Sequence, residues 1–196
     1  MKHDQMLPLE RCPHCNVSKP SLKRAWGQKT QNYAGDNPRY WGTYICANCG
    51  GMVLAVSPGD LNTDISEVWP APQVVSDVVP ARAREFLSQA ISSQHAPAGA
   101  VMLAASSVDA MLKKKGLKNG SLNARIDEAA KTHLITQEMA AWAHDIRLDA
   151  NDQRHADDAA PLPNEADAKK AIEFASALAQ FLFVLPAHVE RGRKAP

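Results

Sequence analysis

The sequence lacks an uninterrupted apolar run long enough to cross a bilayer, and no cysteine follows position 49. Its longest apolar tract, near residues 174–185, contains Ser176 and Gln180, whereas a spanning helix needs about 20 apolar residues. The first twelve residues also lack the apolar core of a signal peptide. We therefore expect a cytoplasmic protein with no membrane partner.

Other absences exclude several classes of enzyme. No glycine-rich phosphate loop is present, which argues against nucleotide hydrolysis on a P-loop or dinucleotide-binding fold. Ser106 and Ser107 have no nucleophile-elbow sequence around them. The acidic segment 157-DDAAPLPNEAD-167 contains two prolines and no rigid geometry, which predicts a solvated loop rather than a magnesium site.

All four cysteines occur as two closely spaced pairs, 12-CPHC-15 and 46-CANCGG-51. Each pair can present two thiolates from one tight turn, and two such turns complete a tetrahedral zinc site. We therefore predict structural Zn²⁺ bound by Cys12, Cys15, Cys46 and Cys49. A redox dithiol is the competing interpretation, but that chemistry calls for a βαβ context and for one CxxC pair only. His3 is expected in a disordered end rather than at the metal.

The charge of the chain is uneven although its net value is only +1. Residues 1–58 carry seven Lys and Arg against three Asp and Glu, whereas the remaining chain carries fifteen against eighteen. Basic and aromatic side chains together can bind phosphates and stack on bases. The candidates for nucleic-acid contact are Lys19, Lys23, Arg24, Lys29, Arg39 and Trp41. The preferred alternative is that the aromatic residues cover the zinc site, because the positive surplus is modest.

Three zones and a tail follow from composition. Residues 1–58 hold the cysteines and short strand-like runs, 59–79 form a Pro-containing linker, 80–188 are Ala-rich and helical, and 189–196 form a basic tail. Helical periodicity and capping residues predict about five helices, over 80–94, 98–115, 122–132, 137–155 and 165–185. Short loops between them indicate antiparallel packing. The expected fold is mainly α: a small β zinc ribbon followed by an antiparallel helical bundle.

One polar stretch in the fourth predicted helix, 147-RLDANDQRH-155, places Arg147, Asn151 and His155 on one face. These are a permanent cation, a two-way hydrogen bonder and a proton carrier. They could form a nuclease site or a binding surface. Alternatively, Arg147 pairs with Asp109 of the second helix in a buried polar network.

A paired CxxC ribbon followed by helices ending in R-x3-N-x3-H resembles the domain-of-unknown-function family numbered 4145. That family looks like a branch of the HEPN superfamily of helical bundles, and the resemblance covers roughly residues 75–186. Its motif, approximately I-R-x-x-G-N-x-x-x-H, falls on Ile146, Arg147, Ala150, Asn151 and His155. Two departures stand out: alanine replaces the glycine at 150, and Ser106 or Ser107 stands where an arginine is expected.

The resemblance implies metal-independent RNA cleavage in active HEPN members, with His as general acid or base and Arg stabilising the phosphorane. Active members carry that Arg directly before the polar residue, where this chain has Ala150. We therefore expect a non-catalytic or weakly catalytic HEPN-like protein that binds nucleic acid or protein as an accessory in bacterial or phage defence. Its expected partners are a second copy of the chain, RNA or DNA, and a defence protein. The alternatives are an endoribonuclease using His155 and Arg147, and an adaptor without nucleic-acid contact.

Overall fold

The computed structural model describes residues 1–155 and 161–194, leaving the side chains of residues 148, 149 and 151–155 outside the description. The chain divides into two compact units, Met1–Gln73 and Val74–Pro196. The first is a small β unit that carries all four cysteines, and the second is α-helical. The predicted succession of a β unit and a helical unit is therefore confirmed.

The N-terminal unit is built on a four-stranded antiparallel sheet in the order β1-β2-β3-β4. The strands are β1 (Leu22–Thr30), β2 (Arg39–Cys46), β3 (Met52–Pro58) and β4 (Glu67–Trp69). β4 lies inside the segment predicted to be a linker, and it pairs with β3 through Val56↔Glu67 and Leu54↔Trp69. β4 has only three residues and is followed by two prolines, so its sequence shows no recognisable strand pattern. It is a strand because its backbone pairs with that of β3.

The core of this unit lies on one face of the sheet and includes two of the cysteines. Its members are nearly inaccessible to solvent: Leu7, Cys12, Leu22, Tyr44, Cys46, Val53 and Ala55. So few apolar side chains give a small domain little stability by hydrophobic burial alone. A domain of this kind depends on an additional cross-link.

The helical unit contains α1 (Ala81–Ser92), α2 (Pro97–Lys114), α3 (Leu122–Lys131), α4 (Gln137–His155), α5 (Glu165–Ala179) and α6 (Leu185–Lys194). Its first four helices agree with the predicted segments to within two residues, and α5 begins as predicted but ends at Ala179 rather than near residue 185. The predicted caps are present: Ser121 accepts a hydrogen bond from the backbone of Ala124, and Asn164 forms a capping box with Asp167. Gly116 follows α2 with φ +100°, a backbone conformation that suits glycine.

α2 occupies the middle of this unit and packs against α1, α3, α4 and α5. Alanine side chains on both α2 and α5, such as Ala104 and Ala171, are completely buried and permit close approach of the helices. Phe174 of α5 is also inaccessible and packs against Trp142 of α4, with 5.0 Å between ring centroids. These contacts hold α2, α4 and α5 together, and α2 and α4 also form part of the wall of the polar cleft described below.

The C-terminal helix departs from the sequence prediction. A π-helical turn over Gln180–Val184 separates α5 from α6, and the N–H of Leu185 bonds to the carbonyl of Gln180. Because Pro186 has no N–H and its ring crowds the preceding turn, a wider turn here lets the helix pass through the proline. The helix therefore continues to Lys194 instead of ending at Pro186 in a disordered tail.

Glu165–Lys194 as a whole is long and apolar enough to cross a membrane by length and composition. Its apolar residues Ile172, Phe174 and Leu178 are buried within the helical unit. Core helices of water-soluble proteins have the same properties.

Candidate metal centre and candidate nucleic-acid cleft

The four cysteines lie together, with all their Sγ atoms within 4.8 Å of one another. Zinc–sulfur bonds of about 2.3 Å in a tetrahedron place sulfur atoms about 3.8 Å apart. The distance between the Sγ atoms of Cys12 and Cys49 is 3.9 Å, close to that value. The sequence prediction that Cys12, Cys15, Cys46 and Cys49 can hold one metal ion therefore agrees with the geometry.

The two cysteine turns have the same backbone geometry. The N–H groups of Asn16 and Gly50 bond to the carbonyls of Cys12 and Cys46, respectively, and both donor residues have left-handed φ angles of 57° and 72°. In each turn the first cysteine also donates its N–H to the residue five positions later, Val17 or Gly51. Asparagine and glycine tolerate this conformation better than other residues. Local sequence thus shapes each turn to present two sulfurs.

The cysteine thiols influence one another strongly. Burial raises the pKa of Cys15, but hydrogen bonds from the Val17 backbone and the Asn48 side chain outweigh it and lower the pKa to about 7. The backbone N–H of Gly51 lowers the pKa of Cys49, yet burial and the neighbouring cysteines raise it to about 12. Four thiolates in such proximity require a cation, which a divalent metal would supply.

His14 lies between two cysteines in the sequence but is exposed, and its Nε2 is 2.7 Å from the carbonyl oxygen of Met52. Its ring covers Gly51, where a Cβ atom would lie only 2.5 Å from the imidazole. The second glycine of the CANCGG motif is therefore required by this close approach.

His3 corrects a sequence expectation, because it is buried rather than part of a disordered end. Its Nδ1 is 3.0 Å from the hydroxyl of Tyr44, and its ring packs edge-on against Tyr40. Burial, with Arg24 nearby, lowers the pKa of His3 and favours the neutral imidazole. Gly42 leaves room for it, since a Cβ there would lie 2.7 Å from Nδ1.

The residues predicted to contact nucleic acid do not share one surface, because those on the strands lie on both faces of the sheet. Strand alternation and register place Lys23, Arg39 and Trp41 on the face opposite the core. Arg24 and Lys29 pair with Tyr44 and Tyr40, so they lie on the other face. Lys19 is exposed in the turn before β1.

A cleft of about 870 Å³ opens in the helical unit between α1, α2, α3 and α4. The cationic side chains that line it are Arg82, Lys113, Lys114, Arg125 and Arg147. Asp109 is the acidic residue among the described residues of its wall. The cleft is therefore strongly basic although the whole chain carries a net charge of only +1.

Asp109 forms ion pairs with residues other than the one predicted. Its carboxylate oxygens lie 2.7 Å from Nη1 of Arg125 and 2.5 Å from Nζ of Lys113. Arg147 is not among the ion-pair partners of Asp109 within the described chain. Arg125, whose side chain is only 9% exposed, takes the place expected for Arg147. Helical spacing could not predict this pair, because Arg125 approaches α2 from α3, a different helix.

Arg147 lines the same cleft without that ion pair. Its Nε and the Nε of Arg125 are both buried and have no hydrogen-bond partner within the described part of the chain. Such groups are normally satisfied by protein, water or a ligand. Ala150, one helical turn from Arg147, is buried in the cleft wall. Asn151 and His155 belong to α4, but their side chains lie outside the described residues.

Comparison with known proteins identified one family. The family described as Domain of unknown function (DUF4145) matches residues 87–195, which include the second half of α1 and every later helix. No curated protein and no solved structure matches the chain. Because the match spans more than half of the sequence, the chain belongs to the DUF4145 family, and the matched range contains Arg125 and Arg147 of the cleft.

Proposed function

We propose that the helical unit binds nucleic acid in its basic cleft without cleaving it efficiently. The observation that carries the proposal is the pair of arginines, Arg125 and Arg147, whose buried Nε atoms lack protein partners among the described residues. Guanidinium groups present several donors in a plane and suit phosphate oxygens. Asp109 neutralises part of this charge, but Arg82 and Lys114 add to it at the same cleft.

The proposed architecture is HEPN-like, and the proposed setting is an accessory role in bacterial or phage defence inside the cell. Both follow from the resemblance of the Arg147 helix to the HEPN motif. A homodimer belongs to the same proposal. The exposed residues Phe181, Leu185 and Val189 support it, because their spacing forms an apolar stripe on the C-terminal helix that a second copy could cover.

Arg147→Met should weaken binding to RNA and reduce its salt dependence. Each phosphate contact contributes counterion release, so loss of one should lower the slope of log K against log salt by about one. Fluorescence anisotropy of a labelled RNA at several salt concentrations measures both quantities. Arg193→Met is the matched control, since Arg193 lies on exposed α6 outside the cleft and should leave the slope unchanged. Equal effects of the two substitutions would refute the cleft as the binding site.

The wild-type protein should not cleave structured RNA above background in the presence of EDTA. Our reason is that Ala150 occupies the position where the resemblance places the catalytic arginine, and this alanine is buried. Gel analysis of wild type and His155→Ala should therefore give the same pattern. Cleavage that survives EDTA and disappears in His155→Ala would instead support the metal-independent endoribonuclease, with Arg147 stabilising the phosphorane.

We propose zinc as the metal of the cysteine cluster. Four sulfur ligands near tetrahedral spacing favour Zn²⁺ or an iron–sulfur centre over hard cations such as Mg²⁺. The enclosed arrangement of four protein ligands is typical of structural rather than catalytic zinc, because no coordination position is left for water.

A further inference from the structure

The open face of the N-terminal sheet carries three tryptophans. Trp26 lies on β1, Trp41 on β2 and Trp69 on β4, and all three lie opposite the face that contains Tyr44 and Cys46. Trp26 is 52% exposed and Trp69 39% exposed. The aromatic residues were expected to cover the metal site, and these three instead lie on the other side of the sheet.

Two of these tryptophans, Trp41 and Trp69, are held in place by neighbouring side chains. The rings of Trp41 and Trp69 are stacked with 5.9 Å between centroids and 27° between planes. Trp41 also donates its indole N–H to Oγ1 of Thr30 at 2.9 Å. The two indoles are therefore oriented before any ligand arrives, which lowers the entropy lost on binding.

A β-bulge brings positive charge to the same face. Lys23 pairs with Ile45 and Trp26 with Thr43, two positions apart on β2, although Trp26 follows Lys23 by three positions on β1. The register shift between Arg24 and Trp26 allows this, because the extra residue resets the alternation. Arg39 projects from the same face of β2, two residues before Trp41, while Glu67 is the acidic residue on the strands of this face.

We propose that this surface, formed by Trp26, Trp41 and Trp69 with Lys23 and Arg39, binds unpaired bases of single-stranded nucleic acid. Indole faces stack on any base, and the two cations attract the adjacent phosphates. A duplex hides its base faces, so it cannot use the tryptophans in this way. The inference rests on the proposed function for the kind of ligand, but its site lies in the other unit of the chain.

The test uses the full-length protein with two labelled probes, an oligouridylate of about 12 nucleotides and an RNA duplex. Trp26→Ala and Trp69→Ala should each weaken oligouridylate binding about tenfold, because stacking on one base contributes roughly 1–3 kcal/mol. Duplex binding and salt slope should stay as in the wild type. Tyr33→Ala is the matched control, since Tyr33 is fully exposed in the turn between β1 and β2.

The same samples are used to measure whether each variant is folded and whether the tryptophan surface binds a second copy of the chain instead of RNA. Retained metal content and unchanged circular dichroism show that a variant is folded, and the exposed positions of Trp26 and Trp69 favour this result. The proposal is overturned if both tryptophan variants bind oligouridylate as tightly as the wild type does. It is also overturned if their affinities for oligouridylate and for the duplex fall equally. Loss of self-association in Trp26→Ala at unchanged oligouridylate affinity would assign the face to a second copy. Suppose that Arg147→Met changes neither RNA affinity nor salt dependence, while the tryptophan variants lose affinity for oligouridylate. That result would contradict the cleft proposal and support the tryptophan surface.

Discussion

Replacing Cys46 with serine should abolish metal binding and unfold the N-terminal unit. Cys46 is both a candidate ligand and a member of the small core, where it is only 1% exposed. Structural zinc contributes on the order of 10 kcal/mol to small metal-dependent domains, far more than this core supplies. Elemental analysis should find about one zinc per wild-type chain and a strong loss in the variant. Tryptophan fluorescence should report unfolding, since three of the four tryptophans belong to this unit.

His14→Ala is the control for this experiment. His14 lies between Cys12 and Cys15 in the sequence, but its Nε2 is directed at the carbonyl of Met52 and not at the sulfur cluster. The variant should therefore keep its metal. A Cys46→Ser protein that is folded and free of metal would contradict the metal centre.

Asp109→Ala should destabilise the helical unit by about 3 kcal/mol. Removing one partner of a buried ion pair leaves the other charge uncompensated, and this costs about 3–5 kcal/mol. The lower end applies because the Asp109 side chain is 23% exposed while that of Arg125 is only 9% exposed. Urea unfolding followed by circular dichroism at the helical band measures the effect, because all the helices lie in this unit.

Two controls identify the ion pair responsible. Lys113→Met removes the other cation of Asp109, but this lysine is 46% exposed and should contribute less than about 1 kcal/mol. Arg147→Met should likewise change stability little, since Arg147 does not pair with Asp109. If Arg147→Met lowered the free energy of unfolding as much as Asp109→Ala does, the result would instead support the Arg147–Asp109 pair predicted from sequence.

Features determined by local sequence were the ones that could be predicted. Ser121 and Asn164 cap helices through their own side chains, so the helix starts follow from residue type and position. The cysteine cluster follows from spacing because each CxxC pair forms its own turn. Contacts between residues a few positions apart thus form the helix caps and the two cysteine turns, and the demand of one metal for four sulfurs predicted that the two turns would meet.

Features determined by distant contacts could not be predicted. His3 is buried because Gly42 and Tyr44, far away in the sequence, form its pocket. Arg125 pairs with Asp109 because α3 crosses α2 near that residue, whereas helical spacing on α4 pointed to Arg147. Sequence periodicity identifies one face of a helix, but it cannot identify the helix that will meet it.

The π-helical turn has a consequence for the surface of the C-terminal helix. One extra residue in a helical turn advances the helix beyond it by about 100°. Leu185 continues the apolar period of Leu178 and Leu182 in the sequence, yet it is 53% exposed whereas those two are buried. A single hydrophobic stripe is thus divided by a change of helical phase. The part before the π-helical turn is buried and stabilises the fold. The part after the turn is exposed, so it can contribute to assembly but not to the core.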